Sequence, residues 1–354
     1  MIRLQQFNCW INGLPNGCRL CVEGDKTIIF VTGSCYDKCF YCPISYARRR
    51  PEAFYVDEEP VNDIDDIVRY IEIVGGRGAS LTGGDPLIKL DKTIEIIRRL
   101  KSEFGHDFHI HLYTSGRLAD LGALKMLDKA GLDEIRFHPV DLRYLDKIKN
   151  AVRETSMNVG VEIPVIPDYD DYIKKIILFL EEIGASFINL NELEVSETNK
   201  EAIMFRGYKI SDDGVSVVGS RETAMRIIRW AKENNIKIKI HYCSAKLKDL
   251  VQTLRRMRRI AFRIKAGFQK VSEEGLLTWV EILSRERSLE IERLLDGYEY
   301  LYYNNRYYVH PDILENKDLI NMLRERFKIR FIERSPVVLG RVSRENIIEN
   351  TYDL

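Results

Sequence analysis

The chain of 354 residues has no net charge, because 54 lysines and arginines balance 54 aspartates and glutamates. No global basic field therefore favours nucleic acid as a partner. No apolar run approaches the roughly 18 residues that span a membrane, and the first residues, MIRLQQFNCW, lack the charged and then apolar pattern of a signal peptide. We expect a cytoplasmic protein without a membrane partner. Glutamine is scarce while Lys, Arg, Glu and Ile are abundant, which favours a thermophilic source.

Cysteine is uncommon, with seven residues, yet three of them share one short segment, FVTGSCYDKCFYCPIS. Cys35, Cys39 and Cys42 can hold a [4Fe–4S] cubane by three of its four irons, which leaves the fourth iron open. The apolar run 27–31 leads directly into this segment, so the loop lies at the carboxyl end of a strand, where ligands gather in α/β folds. A structural zinc site and buried free thiols are the alternatives. Zinc prefers four ligands, usually from paired Cys-x2-Cys units, and fits the spacing less well.

The cysteine motif, with Tyr41 at its aromatic position, resembles that of the radical S-adenosylmethionine (SAM) superfamily. The resemblance extends from Thr27 to about Cys243. It implies a [4Fe–4S] cluster on the three cysteines, with SAM chelating the open iron and being cleaved reductively to methionine and a 5′-deoxyadenosyl radical. The radical would abstract hydrogen from a substrate that the sequence does not identify. A reduced ferredoxin or flavodoxin is the implied electron donor.

The segment LTGGDPL follows the second predicted strand. Gly83, Gly84 and Asp85 resemble the family's Gly-Gly-Glu-Pro motif, which holds the amino group of SAM. The shorter Asp85 implies a contact mediated by water. Thr114 and Ser115, at the end of the third strand, are predicted to bind the ribose or the methionine carboxylate.

Strand-like and helical patterns alternate from residue 27 onward, which indicates βαβ units and a parallel sheet. About six or seven units fit, fewer than the eight of a closed barrel. We therefore predict an α/β fold, a partial, open parallel β/α barrel of the radical SAM type, with a small α+β C-terminal domain. The predicted divisions are an N-terminal extension (1–26), the barrel (27–244) and an accessory domain (245–354).

Polar residues alternate with apolar ones along several predicted strands, so one face of the sheet is predicted to line an open lumen. Satisfied core histidines and buried ion pairs are the alternative. The candidate substrate residues are His109, His111, Arg136, His138, Glu162, Asn189, Asn191 and Glu194. The last two belong to the segment NELEVSETN, which would orient a cationic or hydroxylated substrate or transfer protons, or is merely a solvated acidic loop.

The four remaining cysteines suggest a second metal site, for zinc or an iron–sulfur cluster. Cys18 and Cys21 form a Cys-x2-Cys half-site, and a predicted hairpin (19–22, turn 23–26) would carry them toward Cys243. Cys9 or His241 would be the fourth ligand. Such a metal would join the first and last barrel strands, predicted to be the two edges of the sheet. Alternatively, Cys243 is a buried apolar residue and the pair binds nothing or pairs only with Cys9.

The C-terminal region begins with a basic helical pattern from Ala245 to about Lys270, followed by a strand (276–282) and an aromatic hairpin turning at Asn304–Asn305. Basic residues beside tyrosines suit RNA, but we favour a cationic helix bridged to acidic loops and tyrosines packed in a sheet. The three-cysteine loop and the segments HYCS and NELEVSETN resemble those of archaeal radical SAM proteins related to pyruvate formate-lyase activating enzyme. The functional alternatives are RNA base modification, activation of a glycyl-radical protein, and a non-catalytic iron–sulfur or zinc module.

Overall fold

The computed structural model describes residues 2–5, 7–341 and 348–354. The chain divides into two compact units: Met1–Val68 with Gly76–Thr253, and Arg69–Gly75 with Leu254–Leu354. The first unit thus includes the predicted N-terminal extension as well as the barrel. The C-terminal segment of the second unit begins at Leu254, and the accessory domain was predicted to begin at Ala245.

The strands of the first unit belong to one sheet in the described part of the chain. They are β1 (Arg3–Gln5), β2 (Asn8–Ile11), β3 (Lys26–Thr32), β4 (Tyr55–Val56), β5 (Glu59–Pro60), β6 (Gly78–Gly83), β7 (His109–Thr114), β8 (Glu134–Phe137), β9 (Asn158–Val165), β10 (Phe187–Glu192) and β11 (Lys239–Cys243). Their order across the sheet is β1-β2-β11-β10-β9-β8-β7-β6-β3-β4-β5. Across the sheet, in the order just given, all neighbouring pairs between β11 and β3 run parallel.

Helices follow the parallel strands, as the alternating pattern predicted. They are α1 (Asn16–Glu23), α2 (Ile64–Val74), α3 (Leu90–Phe104), α4 (Leu121–Ala130), α5 (Leu145–Glu154), α6 (Asp170–Ile183), α7 (Lys200–Phe205), α8 (Ser220–Glu233) and α9 (Ala245–Leu247), with 3-10 turns at Tyr46–Arg48, Pro86–Lys89 and Leu142–Tyr144. A π-helical turn, Lys248–Thr253, follows α9. The prediction of a partial, open β/α barrel is confirmed.

The prediction that the first and last barrel strands are the edges of the sheet is wrong. The N-terminal strand β2 pairs antiparallel with β11, and β4 pairs antiparallel with β3. These short strands satisfy backbone groups that an exposed edge would leave unpaired.

The barrel strands are buried and mainly apolar, as parallel strands covered on both faces usually are. Lys26 is an exception at the start of β3, where it is 2% exposed. Its Nζ atom donates hydrogen bonds to the carbonyl oxygens of Ala79 (2.9 Å) and His109 (2.6 Å) and lies 2.7 Å from His109 Nδ1. The lysine thereby joins β3, β6 and β7 at their amino ends.

The predicted hairpin around residues 19–26 is also wrong, because residues 16–23 form the helix α1. Gly24 ends this helix in the left-handed region (φ 78°) and donates its backbone N–H to the Cys21 carbonyl oxygen at 3.1 Å. A glycine immediately after a helix is a common C-cap. This local signal outweighs the hairpin pattern.

The second unit contains the strands β12 (Lys270–Val271), β13 (Leu277–Leu283), β14 (Tyr300–Tyr303), β15 (Arg306–Val309), β16 (Lys328–Arg334) and β17 (Glu349–Asp353), and the helices α10 (Leu254–Ile264), α11 (Leu289–Leu294) and α12 (Lys317–Arg324), with a 3-10 turn at Pro311–Glu315. Its sheet has the order β14-β15-β13-β16-β17, with β12 also paired to β13. The predicted turn is confirmed, since Asn304 and Asn305 both have positive φ. The predicted basic helix ends earlier than expected, at Ile264.

Most tyrosines of the aromatic hairpin pack against the interior of the second unit. Tyr298, Tyr300, Tyr302, Tyr307 and Tyr308 contact buried cores, whereas Tyr303 is 61% exposed. Among the described residues, no helix has the length and apolar character needed to cross a membrane.

Candidate active site

The three-cysteine loop leaves β3 at its carboxyl end, as the sequence predicted. Gly33 lies at the base of the loop, where a Cβ atom would come within 2.0 Å of the Arg48 carbonyl oxygen. The Cys42 amide donates to the Cys39 carbonyl oxygen at 3.1 Å, which curls the loop back on itself. Cys35 is exposed and the other two thiols are half-buried. The donor set of three free thiols on one loop fits an iron–sulfur cluster bound by three cysteines.

Partial burial raises the pKa of two thiols of this loop. It raises the pKa of Cys35, and it raises the pKa of Cys39 to about 11. Both thiols are therefore protonated near neutral pH in the absence of a metal. Because a thiolate is the ligand form, a cluster bound by these thiols would release protons on binding and would be held more strongly as pH rises.

The Gly83–Gly84 pair fixes the base of the cysteine loop. A Cβ on Gly84 would lie 2.0 Å from the Ser34 carbonyl oxygen, and one on Gly83 would lie 2.3 Å from that of Thr32. The Gly84 amide donates to the Thr32 carbonyl oxygen at 2.7 Å. Glycine at both positions lets β6 approach the loop backbone closely.

Asp85 has protein partners for its carboxylate. It accepts hydrogen bonds from the Leu87 amide, the Thr114 hydroxyl, and the amide and hydroxyl of Ser115, at 2.9–3.1 Å. Asp85 is 3% exposed, and it ties the end of β6 to the end of β7. Its contact with a SAM amino group stays a prediction, as does binding by Thr114 and Ser115.

A cavity of about 310 Å³ brings many of the candidate residues together at the carboxyl ends of the strands. Its lining includes the three cysteines, Tyr41, Gly83, Gly84, Thr114, Ser115, His138, Glu162, Asn191 and Glu194, and also Tyr113, Glu192 and Lys248. Ligand sites of α/β folds lie at this end of the sheet. The sequence reasoning did not select Lys248, although its place five residues after the last strand is the signal that points to it.

Tyr41 connects the cysteine loop to the rest of the cavity wall. Its hydroxyl lies 2.8 Å from His138 Nε2, and His138 Nδ1 lies 2.9 Å from the Glu162 carbonyl oxygen. Nδ1 must carry the proton to donate to a carbonyl, so Nε2 accepts from the tyrosine. Asn199 donates to the Tyr41 and Glu194 carbonyl oxygens at 3.0 and 2.9 Å.

Glu162 is fixed from below by three donors. Its Oε2 atom accepts from Arg136 and Asn189, each at 2.8 Å, and its Oε1 atom accepts from Asn191 at 2.9 Å. Burial opposes ionisation, but Arg136 and the two amides outweigh it and lower the pKa of Glu162. The glutamate is therefore an ionised, positioned part of the cavity floor.

Arg136, Asn189 and His111 lie beneath the cavity against α1, and His109 is buried beside Lys26 at the amino end of β7. A Cβ on Gly17 of α1 would lie 2.4 Å from an Arg136 guanidinium nitrogen. Within the described part of the chain, neither ring nitrogen of His111 has a hydrogen-bond partner, and both are buried. The structure thus places this lower set of lumen candidates in the interior and the upper set at the cavity.

Three of the candidate ligands of a second metal contact other protein side chains. Cys18 Sγ accepts from Asn189 (3.1 Å) and Arg136 (3.4 Å), while Cys243 Sγ lies 3.6 Å from Gln252 Nε2. His241 contacts Asn8 Oδ1 at 2.6 Å.

Cys9 lies on the other face of the sheet. It is opposite Tyr242 in the β2–β11 pair, and successive strand residues alternate between faces, so its side chain points away from those of Cys243 and His241. Among the residues that the structure describes, no three His, Cys, Asp or Glu side chains are grouped for a single metal ion. A second metal site stays a prediction.

Comparison with known proteins gives the family. A sequence model described as the radical SAM superfamily matches residues 29–142. A protein of Methanocaldococcus jannaschii, provisionally named as a glycyl-radical enzyme activating enzyme, is 34% identical over 90% of this chain and 87% of its own length. The chain belongs to the radical SAM superfamily and is an enzyme. The predicted relation to the group of pyruvate formate-lyase activating enzyme is confirmed.

Other similar proteins are more distant. A Thermococcus kodakarensis protein, provisionally named as a GTP 3′,8-cyclase, is 28% identical over 51% of this chain and 60% of that protein. The structure of Streptococcus suis SuiB bound to the precursor peptide SuiA aligns with a TM-score of 0.45 and 11% identity, over 61% of this chain and 48% of that one. The chain thus spans about half of the SuiB chain.

Proposed function

We propose that the enzyme holds a [4Fe–4S] cluster on Cys35, Cys39 and Cys42 and uses SAM to abstract hydrogen from a substrate bound in the cavity. The observation that carries this proposal is the lining of one cavity by the three cysteines, the Gly83–Gly84 pair and the polar wall. When bound and reduced, the cluster supplies an electron that cleaves SAM to methionine and a 5′-deoxyadenosyl radical. Family membership supports SAM cleavage in general.

The chain's own residues then bind the ligand, hold the cysteine loop in position and shield the cavity from water. Gly83 and Gly84 leave room for a ligand beside the loop, and Thr114 and Ser115 present hydroxyl groups to the same space. Tyr41 is held by His138, which keeps the aromatic ring of the cysteine loop in one position. The buried layer beneath Glu162 excludes water from the cavity floor, which protects a reactive radical from side reactions.

A second candidate function is activation of a glycyl-radical protein. The name of the Methanocaldococcus relative favours it. The substrate would then be a glycine within a polypeptide segment inserted into the cavity. Purified enzyme with such a partner would develop the electron paramagnetic resonance doublet of a glycyl radical, which a small-molecule reaction would not produce.

For the electron donor, we propose a reduced ferredoxin or flavodoxin, which radical SAM enzymes generally use. Exposed cations surround the cysteine loop: Lys38, Arg49, Arg50 and Arg117. The Arg49 guanidinium donates to the Cys42 carbonyl oxygen at 3.3 Å. Such a surface is complementary to an acidic carrier protein.

The test is anaerobic reconstitution followed by incubation with dithionite and SAM. We expect about four irons per chain and formation of 5′-deoxyadenosine. Cys39→Ala should abolish that product, whereas Cys9→Ala, on the other face of the sheet, should not. Absence of 5′-deoxyadenosine from wild-type protein with an intact cluster would defeat the proposal.

A further inference from the structure

Lys248 and Glu194 form an ion pair in the cavity wall. The Lys248 Nζ atom lies 2.5 Å from Glu194 Oε1. Lys248 begins the π-helical turn after α9, and Ser244 fixes the start of α9 by accepting a hydrogen bond from the Leu247 amide at 3.0 Å. Turns of π helix within helical segments are frequent at functional sites.

This ion pair differs from the one that supports the cavity floor. Arg136 and Glu134 are each 2% exposed, whereas the side chains of Lys248 and Glu194 are 30% and 29% exposed. A pair that holds a core together is closed off from ligands. The Lys248–Glu194 pair is open to them.

The two other glutamates of this wall are already held by donors, and the remaining lining carboxylate, Asp37, lies on the cysteine loop. Both oxygens of Glu162 are engaged by Arg136, Asn189 and Asn191. Glu192 accepts from the Ala245 amide at 2.9 Å. Among the described lining residues, Lys248 carries the one cationic side chain of the cavity. An anionic ligand group therefore meets Lys248, and Glu194 is the carboxylate beside it for a cationic group.

We propose that Lys248 and Glu194 recognise a small zwitterionic substrate of the α-amino acid type, with Lys248 binding its carboxylate and Glu194 its ammonium group. The inference deepens the proposed function and rests on it, since it assigns the substrate class of the same cavity. A zwitterion adds no net charge to the site. Its carboxylate replaces Glu194 as the partner of Lys248, and its ammonium group replaces Lys248 as the partner of Glu194. A neutral peptide glycine would shield both charges from water and offer a charged partner to neither, and such desolvation is costly.

The test measures binding of each of the twenty proteinogenic amino acids to the SAM-loaded holoenzyme by anaerobic equilibrium dialysis. We expect saturable binding of at least one. Its decarboxylated amine and its N-acetyl derivative, which each lack one charge, should bind at least roughly tenfold more weakly, as expected when a charged group is left unpaired.

Variants connect each ligand charge to its residue. Lys248→Met should weaken binding of the amino acid about tenfold or more but should weaken binding of the amine little further. Lys248→Arg, which keeps the charge, should retain most of the affinity and shows that the turn tolerates substitution. Lys246→Met is the matched control, because that ammonium lies 3.6 Å from Asp213, outside the cavity lining, and its binding should equal that of wild type.

The outcomes separate the two proposals. If none of the twenty amino acids binds, if the amine binds as tightly as its amino acid, or if a glycyl peptide or RNA binds instead, the recognition pair is overturned. An enzyme that forms 5′-deoxyadenosine with dithionite yet binds no amino acid overturns this inference alone. One that binds the amino acid through Lys248 but forms no 5′-deoxyadenosine supports the pair and defeats the proposed function.

Discussion

Arg136 supports the cavity floor from within the barrel. Its guanidinium contacts Glu134 at 2.6 Å, Glu162 at 2.8 Å and the Tyr113 hydroxyl at 3.1 Å. Buried ion pairs of this kind contribute little net stability, yet removing one partner leaves an uncompensated charge that costs about 3–5 kcal/mol. At the scale of single residues, the floor therefore depends on complete pairing.

Gly84 is the residue at which a single methyl group should disturb the cysteine loop most directly. In Gly84→Ala the new Cβ would meet the Ser34 carbonyl oxygen at 2.0 Å, so backbone must move. We expect a loss of about 1–3 kcal/mol in the free energy of unfolding and reduced iron content after reconstitution. Chemical denaturation and iron analysis measure both.

Gly122→Ala is the matched control for that substitution. Gly122 lies in α4, where an added Cβ would meet only the Asp120 side chain, at 3.2 Å. Alanine is the better helix former, so no loss of stability is expected. Equal iron content in wild type and Gly84→Ala would show that the loop does not depend on this contact.

Lys26 should make the free energy of unfolding depend on pH in the neutral to alkaline range. Burial lowers its pKa to about 7, whereas an unfolded lysine titrates near 10.4. Between these pKa values the unfolded state binds more protons, so the lysine's contribution to the free energy of unfolding rises with pH.

The free energy of unfolding of the wild type, minus that of Lys26→Met, should therefore increase as pH rises from 7 to 9, by up to about 1.4 kcal/mol per pH unit. Denaturant titrations at three pH values measure the difference. The same comparison for Lys125→Met, at a surface ion pair, corrects for loss of an exposed lysine. A difference between wild type and Lys26→Met that stays constant with pH contradicts the lowered pKa.

At the scale of elements, the loop after β10 is connected to the cysteine loop. Asn199 is 1% exposed, and its amide bridges the Tyr41 and Glu194 carbonyl oxygens. The side-chain oxygen of Asn199, Oδ1, accepts a hydrogen bond from the Ser196 amide at 2.7 Å. One asparagine thus joins the element that carries the candidate cluster ligands to the element that carries Glu194.

Asn199→Ala should loosen both loops together. Losing these buried hydrogen bonds should cost about 1–3 kcal/mol and speed amide exchange in both residues 36–42 and residues 193–199. Hydrogen exchange followed by mass spectrometry measures the effect. Asn158→Ala is a control, because its side-chain bond to the Asp133 carbonyl oxygen is long (3.5 Å) and exposed. Faster exchange in only one loop would contradict the connection.

At the scale of the whole molecule, charge is balanced overall but unevenly distributed. The chain is neutral, yet residues 33–51 contain Lys38, Arg48, Arg49 and Arg50 and a single acid, Asp37. Arg48 is engaged by Glu58 and the Phe30 and Tyr55 rings. The other cations are exposed beside the candidate cluster. A local field of this kind steers an acidic partner and weakens with salt.

Arg50→Glu should slow 5′-deoxyadenosine formation driven by an acidic ferredoxin several-fold at low ionic strength. Formation driven by dithionite should change little, because that reductant needs no docking surface. Arg153→Glu, an equal charge reversal on α5, is the control. A ferredoxin-driven rate that is insensitive both to added salt and to Arg50→Glu would argue against docking on this surface.

The sequence by itself determined the parts that depend on local pattern. The alternating elements, the open barrel, the asparagine turn and the radical SAM family follow from periodicity, turn chemistry and a short cysteine motif. These signals lie within a few residues of one another, so they are readable before the chain is folded.

Only the tertiary structure decided how distant residues meet. It laid the helix at residues 16–23 over the lower polar layer, placed Cys9 on the face away from Cys243, surrounded Asp85 with protein donors, and brought Lys248 to Glu194. Each of these depends on contacts between segments far apart in sequence. Which face is buried, and which charge finds which partner, is settled by the packing of the whole sheet and the helices around it.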